Sequence, residues 1–237
     1  KHYVYSKVMA WVAVDRGIDL GERLGLVGPY DHWRRVRETI REDVLRRGTT
    51  ARGGGLGWFY GASAPDASLL LLPTTGFLEV DDPVMDRTVA EIERSLVDEP
   101  FVARYRLPDH LRGREGYFLP CAFWRVEYYT MRGELTRARR LFESLLRTAG
   151  PLGLFAEEID RRGRHLGNYP QAFTHLALLL AATRLDRAFE GGLAHLDETP
   201  RRPTGLAATH AALRAAGGST AVRPGAVDAS NRSGTSS

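Results

Sequence analysis

At 237 residues, with 43% hydrophobic and 26% charged residues, the chain has an ordinary globular composition. It is long enough to bury a core without a metal or disulfide staple. Cys121 is the only cysteine, which excludes an internal disulfide and suits the cytoplasm, the expected location. Basic residues exceed acidic ones by 33 − 29 = 4, but they are nearly all arginines interleaved with acids, as over residues 34–43. That is the pattern of a solvated helix face, so no nucleic-acid partner is expected. No apolar run approaches the ~20 residues of a membrane span, and the first residues carry no signal-peptide pattern, so no membrane partner is expected either.

In chain order, the spacing of Val8, Met9, Trp11, Val12, Val14, Ile18 and Leu20 predicts a helix over 5–24. A second helix is predicted over 31–47, capped by Asp31, with Trp33, Val36, Ile40, Val44 and Leu45 inward. Residues 49–57 form a glycine-rich connector, and no Lys-Ser/Thr follows to make it a phosphate loop. Asp66 is placed to cap a short helix over 67–72, closed by Pro73. Asp81 or Asp82 caps the next, with Pro83 in its first turn and Val84, Val89, Ile92 and Leu96 on its inner face. Residues 101–105 read as extended. Helices follow over 117–131 and 134–149, then an irregular charged stretch over 155–168, then an apolar helix over 171–187. Beyond it Gly, Ala, Ser, Thr and Pro dominate. The expected organisation is a helical domain over 1–189 and a disordered tail over 190–237. Helix pairs without a strand pattern point to an α-hairpin toroid or solenoid, and no repeat letters align to make it a common scaffold repeat.

Candidate chemistry is sparse. Glu157 and Glu158 are adjacent carboxylates flanked by Phe155, Ala156 and Ile159, between two helices. On an extended segment one faces inward and the other away, and an inward carboxylate suits a general base. The alternative is a helix N-terminal cluster or an ion pair with Arg161, Arg162 or Arg164. Arg104, beside Tyr105 at the end of an extended piece, could fork hydrogen bonds to vicinal hydroxyls, or could be a plain surface arginine. Trp58, in a loop, is a candidate sugar-stacking face, whereas Trp11, Trp33 and Trp124 lie on helix stripes. The histidines show no metal-ligand spacing and there is no GxSxG elbow, so no metal or other cofactor is expected. Cys121, within a helix, reads as packed.

Five ordered segments resemble landmarks of glycoside hydrolase family 15, the bacterial glucoamylase-like and trehalase-like enzymes: residues 5–16, 66–73, 115–124, 153–160 and 167–175. The resemblance covers roughly residues 1–185. It implies an all-α fold, part of an (α/α)6 toroid of the six-hairpin glycosidase type, with the chain forming the C-terminal half of the catalytic domain. It further implies hydrolysis of an α-glucosidic bond with inversion, in trehalose or at the non-reducing end of a maltooligosaccharide. Ala156-Glu157-Glu158 matches the family's base motif, which makes Glu157 the general base and Glu158 a neighbour shaping the site. Arg104 is similar to the family's substrate-binding arginine, and Phe173 to an aromatic residue that contacts sugar. The family's general acid lies in a Trp-Glu motif upstream of the helix containing Lys7, before this chain begins. The chain alone is therefore expected to be inactive and to expose apolar helix faces. A non-catalytic helical-repeat interaction protein, or a degenerate relative, is the competing reading. Oligomeric state is not legible.

Overall fold

The computed structural model describes residues 1–51, 53–107 and 116–191, which belong to one compact unit. The tail expected over 190–237 lies outside the described residues, apart from its first two, which continue the last helix.

The described residues are mainly helical, as expected. Helices α1 (Val4–Arg23) and α2 (Tyr30–Arg47) form a hairpin. A 3-10 segment, Ala67–Leu71, runs into the short α3 (Leu72–Thr75). It starts where Asp66 accepts the Ser68 backbone N–H at 2.7 Å. Helix α4 (Pro83–Leu96) starts likewise, with Asp82 accepting from Val84 N–H at 2.7 Å and Pro83 in its first turn. Helices α5 (Leu119–Met131), α6 (Leu135–Leu146) and α7 (Ala172–Gly191) pack on one another.

α5 is the inner helix: every residue from Leu119 to Thr130 is buried, against α6, α7 and the 3-10 segment. α4 and α6 are amphipathic and bury one stripe each, Met85, Val89, Ile92 and Leu96 in the first, Ala138, Leu141 and Leu145 in the second. A fully buried helix flanked by half-buried ones is the layering of paired inner and outer helices, consistent with a partial (α/α)6 toroid.

Some sequence expectations are corrected. Asp31 does not cap α2. That helix begins one residue earlier, after Pro29, with no side-chain cap, and Asp31 sits exposed in its first turn. Met9 and Leu20, counted in the apolar spacing of the first helix, are 42% and 55% exposed. Of the stripe assigned to α2 only Val44 is buried. The region 155–168 is not wholly irregular: β4 (Glu158–Ile159) pairs with β3 (Tyr117–Phe118) and with β5 (His165–Leu166) in a small antiparallel sheet. A second pair, β1 (Val97–Asp98) and β2 (Phe101–Val102), precedes it. These two-residue strands are too short for alternation to mark them in sequence.

α7 is apolar on two sides. Thr174, Ala177, Ala181, Leu185 and Ala188 are buried, while Phe173, Leu176, Leu179 and Leu180 are each about half exposed. Contiguous exposed apolar side chains of this kind are what the sequence reading expected of the chain alone.

Candidate functional site

The small sheet and the first turn of α7 converge on residues 155–157, and most of that segment's backbone is tied to other elements. Phe155 N–H donates to His175 Nε2 at 3.3 Å, and its carbonyl accepts from Gln171 N–H at 2.9 Å. The Ala156 carbonyl accepts from the Thr174 hydroxyl at 2.9 Å. Glu157 N–H donates to the Asn168 carbonyl at 2.9 Å, and Glu157 carbonyl accepts from Leu119 N–H at 3.1 Å. Phe155 and Ala156 are buried, so the strip is fixed by packing as well.

Glu157 itself is half-buried. Its Oε2 accepts two hydrogen bonds from Asn168, from the backbone N–H at 3.2 Å and from Nδ2 at 2.9 Å. Oε1 has no partner among the described residues. Glu158, the next residue, points elsewhere: it lies in β4 opposite Phe118 and Leu166, and its Oε2 accepts from Gly116 N–H at 2.8 Å. The two carboxylates thus take separate partners, as expected of an extended backbone. Among the described residues, neither forms an ion pair with Arg161, Arg162 or Arg164. Arg161 pairs with Asp98 at 2.9 Å and Arg164 with Asp160 at 2.7 Å. The salt-bridge alternative for Glu157 is therefore not what this fold contains.

Arg104 follows β2, and its backbone carbonyl accepts from Ala67 N–H at 2.8 Å, which anchors it to the 3-10 segment. Its side chain is about half exposed. The guanidinium lies between the buried Asp66 carboxylate, at 3.6 Å, and the Phe118 ring, at 5.6 Å. Asp66 therefore supplies a counter-charge as well as a cap. The Phe118 ring is 6.1 Å from Phe173, and Phe173 is 5.9 Å from Trp124. Trp124 is buried, whereas Phe173 is 47% exposed and free to present an edge. Trp58 is half-buried rather than open: Tyr105 stacks on it at 4.3 Å and 14°.

The fold thus links four of the five residues singled out from sequence. Arg104 touches Phe118, Phe118 touches Phe173 and pairs with Glu158, and Glu157 bonds to the residue after Phe118. Among the described residues, Trp58 joins through Tyr105, which follows Arg104. Sequence reasoning did not assign roles to Asn168 or Phe118, and gave Asp66 only that of a cap, although each lies in or next to a segment it had marked. Cys121 is buried, and burial pushes its thiol well above the usual range, in keeping with a packed side chain.

Carboxylates elsewhere are used differently. Arg125, on α5 and only 2% exposed, bonds to Glu93 Oε1 at 2.8 Å and Glu99 Oε1 at 2.6 Å. Burial by itself raises the Glu93 carboxyl, but hydrogen bonds from Arg125 and Tyr129 outweigh it and hold Glu93 below its usual range. A depression of about 420 Å³ beside Arg125 and a second of about 710 Å³ between α6 and α7 are lined by neither Glu157 nor Arg104.

The family model described as Glycosyl hydrolases family 15 matches residues 1–183. A trehalase of Mycolicibacterium smegmatis is 48% identical over 194 residues, covering 80% of this chain and 29% of the relative. A trehalase of Thermoplasma volcanium is 40% identical over 190 residues, covering 79% and 30%. The chain spans less than a third of the length of these relatives. Among solved structures, a glycosidase variant superposes with a TM-score of 0.67 at 20% identity, over 78% of this chain and 52% of that one. A glycosidase variant in complex with glucose superposes with a TM-score of 0.66 at 19% identity, with the same coverage.

Proposed function

Because the chain belongs to glycosyl hydrolase family 15, we propose that it is the C-terminal part of a trehalase-type catalytic domain and carries its general base, Glu157. The general acid is then supplied by residues outside this chain. The observation that carries the assignment is the state of the Glu157 carboxylate: rigid backbone, two neutral donors on Oε2, and, among the described residues, no cationic partner and no group on Oε1.

Such a carboxylate can do what inversion requires. Water attacks the anomeric carbon from the face opposite the glycosidic bond, and Glu157 takes the water's proton. The bond to the leaving oxygen breaks with its electron pair, and the acid protonates that oxygen. The two carboxyls need a separation of about 6.5–9.5 Å to leave room for the water. Arg104, braced by Asp66 and Phe118, is placed to hold hydroxyls of the glucosyl ring, and Phe173 to pack against its apolar face. Glu158 shapes the floor through its bond to Gly116, and Trp58 acts at one remove, by backing Tyr105.

The relatives' names favour trehalose over a maltooligosaccharide. Trehalose gives a clean test of inversion, since both of its anomeric carbons are α. Attack with inversion releases one β-glucose from the attacked ring and one α-glucose from the leaving ring, in equal amounts before mutarotation. Proton NMR at early times with the full-length enzyme is expected to show that equality. Appearance of α-glucose alone would rule out inversion, and with it the base role of Glu157.

A further inference from the structure

Resting on Glu157 as the general base, we propose that Asn168 is its positioning residue: it holds Oε2 so that Oε1 is the oxygen that receives the proton of the attacking water. Three groups of Asn168 grip Glu157. Its backbone N–H and Nδ2 donate to Oε2 at 3.2 and 2.9 Å, and its carbonyl accepts Glu157 N–H at 2.9 Å. Both side-chain bonds land on one oxygen, so rotation that would exchange Oε1 and Oε2 breaks both. The donors are neutral, so they orient the carboxylate without pairing it with an opposite charge.

A second, independent feature points the same way. Gly167 has φ +72°, and a Cβ there would lie 2.9 Å from Glu157 Oε2 and 3.1 Å from Glu157 Cβ. The space beside the carboxylate is kept open by the absence of a side chain. The Gly167-Asn168 pair therefore fits Oε2 from two sides: one residue makes room and the other supplies donors.

The test uses the full-length enzyme on trehalose. Asn168→Ala keeps the backbone N–H and loses Nδ2. It is expected to lower kcat by ~10- to 30-fold while KM stays within about twofold, the signature of a loss confined to the transition state. Asn168→Asp is isosteric and sets a second carboxylate against Oε2, so the acidic limb of the kcat–pH profile is expected to move up by about one unit. Gly167→Ala is expected to reproduce the kcat loss. In a Glu157→Gln background, Asn168→Ala should cost no more than about a further twofold, because the group it positions is gone. If Asn168→Ala does not fold, the Asp variant and its pH profile decide. Should kcat stay within about threefold and the acidic limb stay put while Glu157→Gln is inactive, positioning by Asn168 is refuted and the base assignment stands. Near-normal turnover by Glu157→Gln would remove both.

Discussion

Two carboxylate neighbourhoods in this molecule do opposite things with similar residues. On the outer side of α5, Glu93 and Glu99 are taken up by Arg125, with Tyr129 and Arg137 completing the set. Each oxygen of Glu93 is engaged, so the group braces α4 against α5 and has nothing left to offer a ligand. At the start of α7, Glu157 is held just as closely, but by an amide and a backbone N–H on a single oxygen. The difference is between neutralising a charge and aiming one. An arginine on both oxygens makes a carboxylate a strut, whereas neutral donors on one oxygen leave it able to take a proton.

The largest expected break in that contrast is Glu157→Gln in the full-length enzyme. It preserves shape and removes basicity, and kcat for trehalose should fall by ~1000-fold or more, with the sugar still bound in calorimetry. Near-wild-type kcat would erase the distinction between the two neighbourhoods. Arg125→Met should come next, and should touch stability rather than chemistry. Removing a buried cation from two carboxylates is expected to cost about 3 kcal/mol in chemical denaturation, with Glu157-dependent kcat nearly unchanged in the folded fraction. Its pH signature has a definite sign. Glu93 is depressed in the folded state, so its contribution is present above its ordinary value of 4.5 and is lost as pH falls through the lower folded value. The wild type should therefore lose stability on acidification below that point, and the Arg125→Met variant should show a flatter acid limb. A variant with unchanged acid sensitivity would show that the ion cluster is not the strut described. Arg104→Ala is the smallest, because the arginine is half exposed and water replaces part of what it offers. KM is expected to rise ~10-fold, about 1.4 kcal/mol, with kcat little changed. An unchanged KM would remove Arg104 from the sugar site.

Much of the helical frame was legible in order, because it rests on local chemistry. Asp66 and Asp82 cap as their positions before apolar runs demand, and Pro83 opens α4 where a missing N–H is harmless. Asp31 shows the limit: an acid before a periodic run can equally sit inside the first turn, and only the path of the preceding chain decides which. The site was half legible. An Ala-Glu-Glu segment between apolar residues marked the carboxylates, and an Arg-Tyr pair marked Arg104.

The amino-acid order by itself determined the run of helices, the caps at Asp66 and Asp82 and the pair of adjacent carboxylates, because these depend on residues within a few positions of one another. Only the tertiary structure decided that the two carboxylates take separate partners, that Asn168 and Gly167 fit one oxygen of Glu157, and that Phe118 bridges Arg104 to Phe173. It likewise decided that Arg125 is buried and neutralised rather than solvated. Those outcomes join residues 10 to 55 positions apart, and no local pattern encodes which distant donor arrives at a given oxygen.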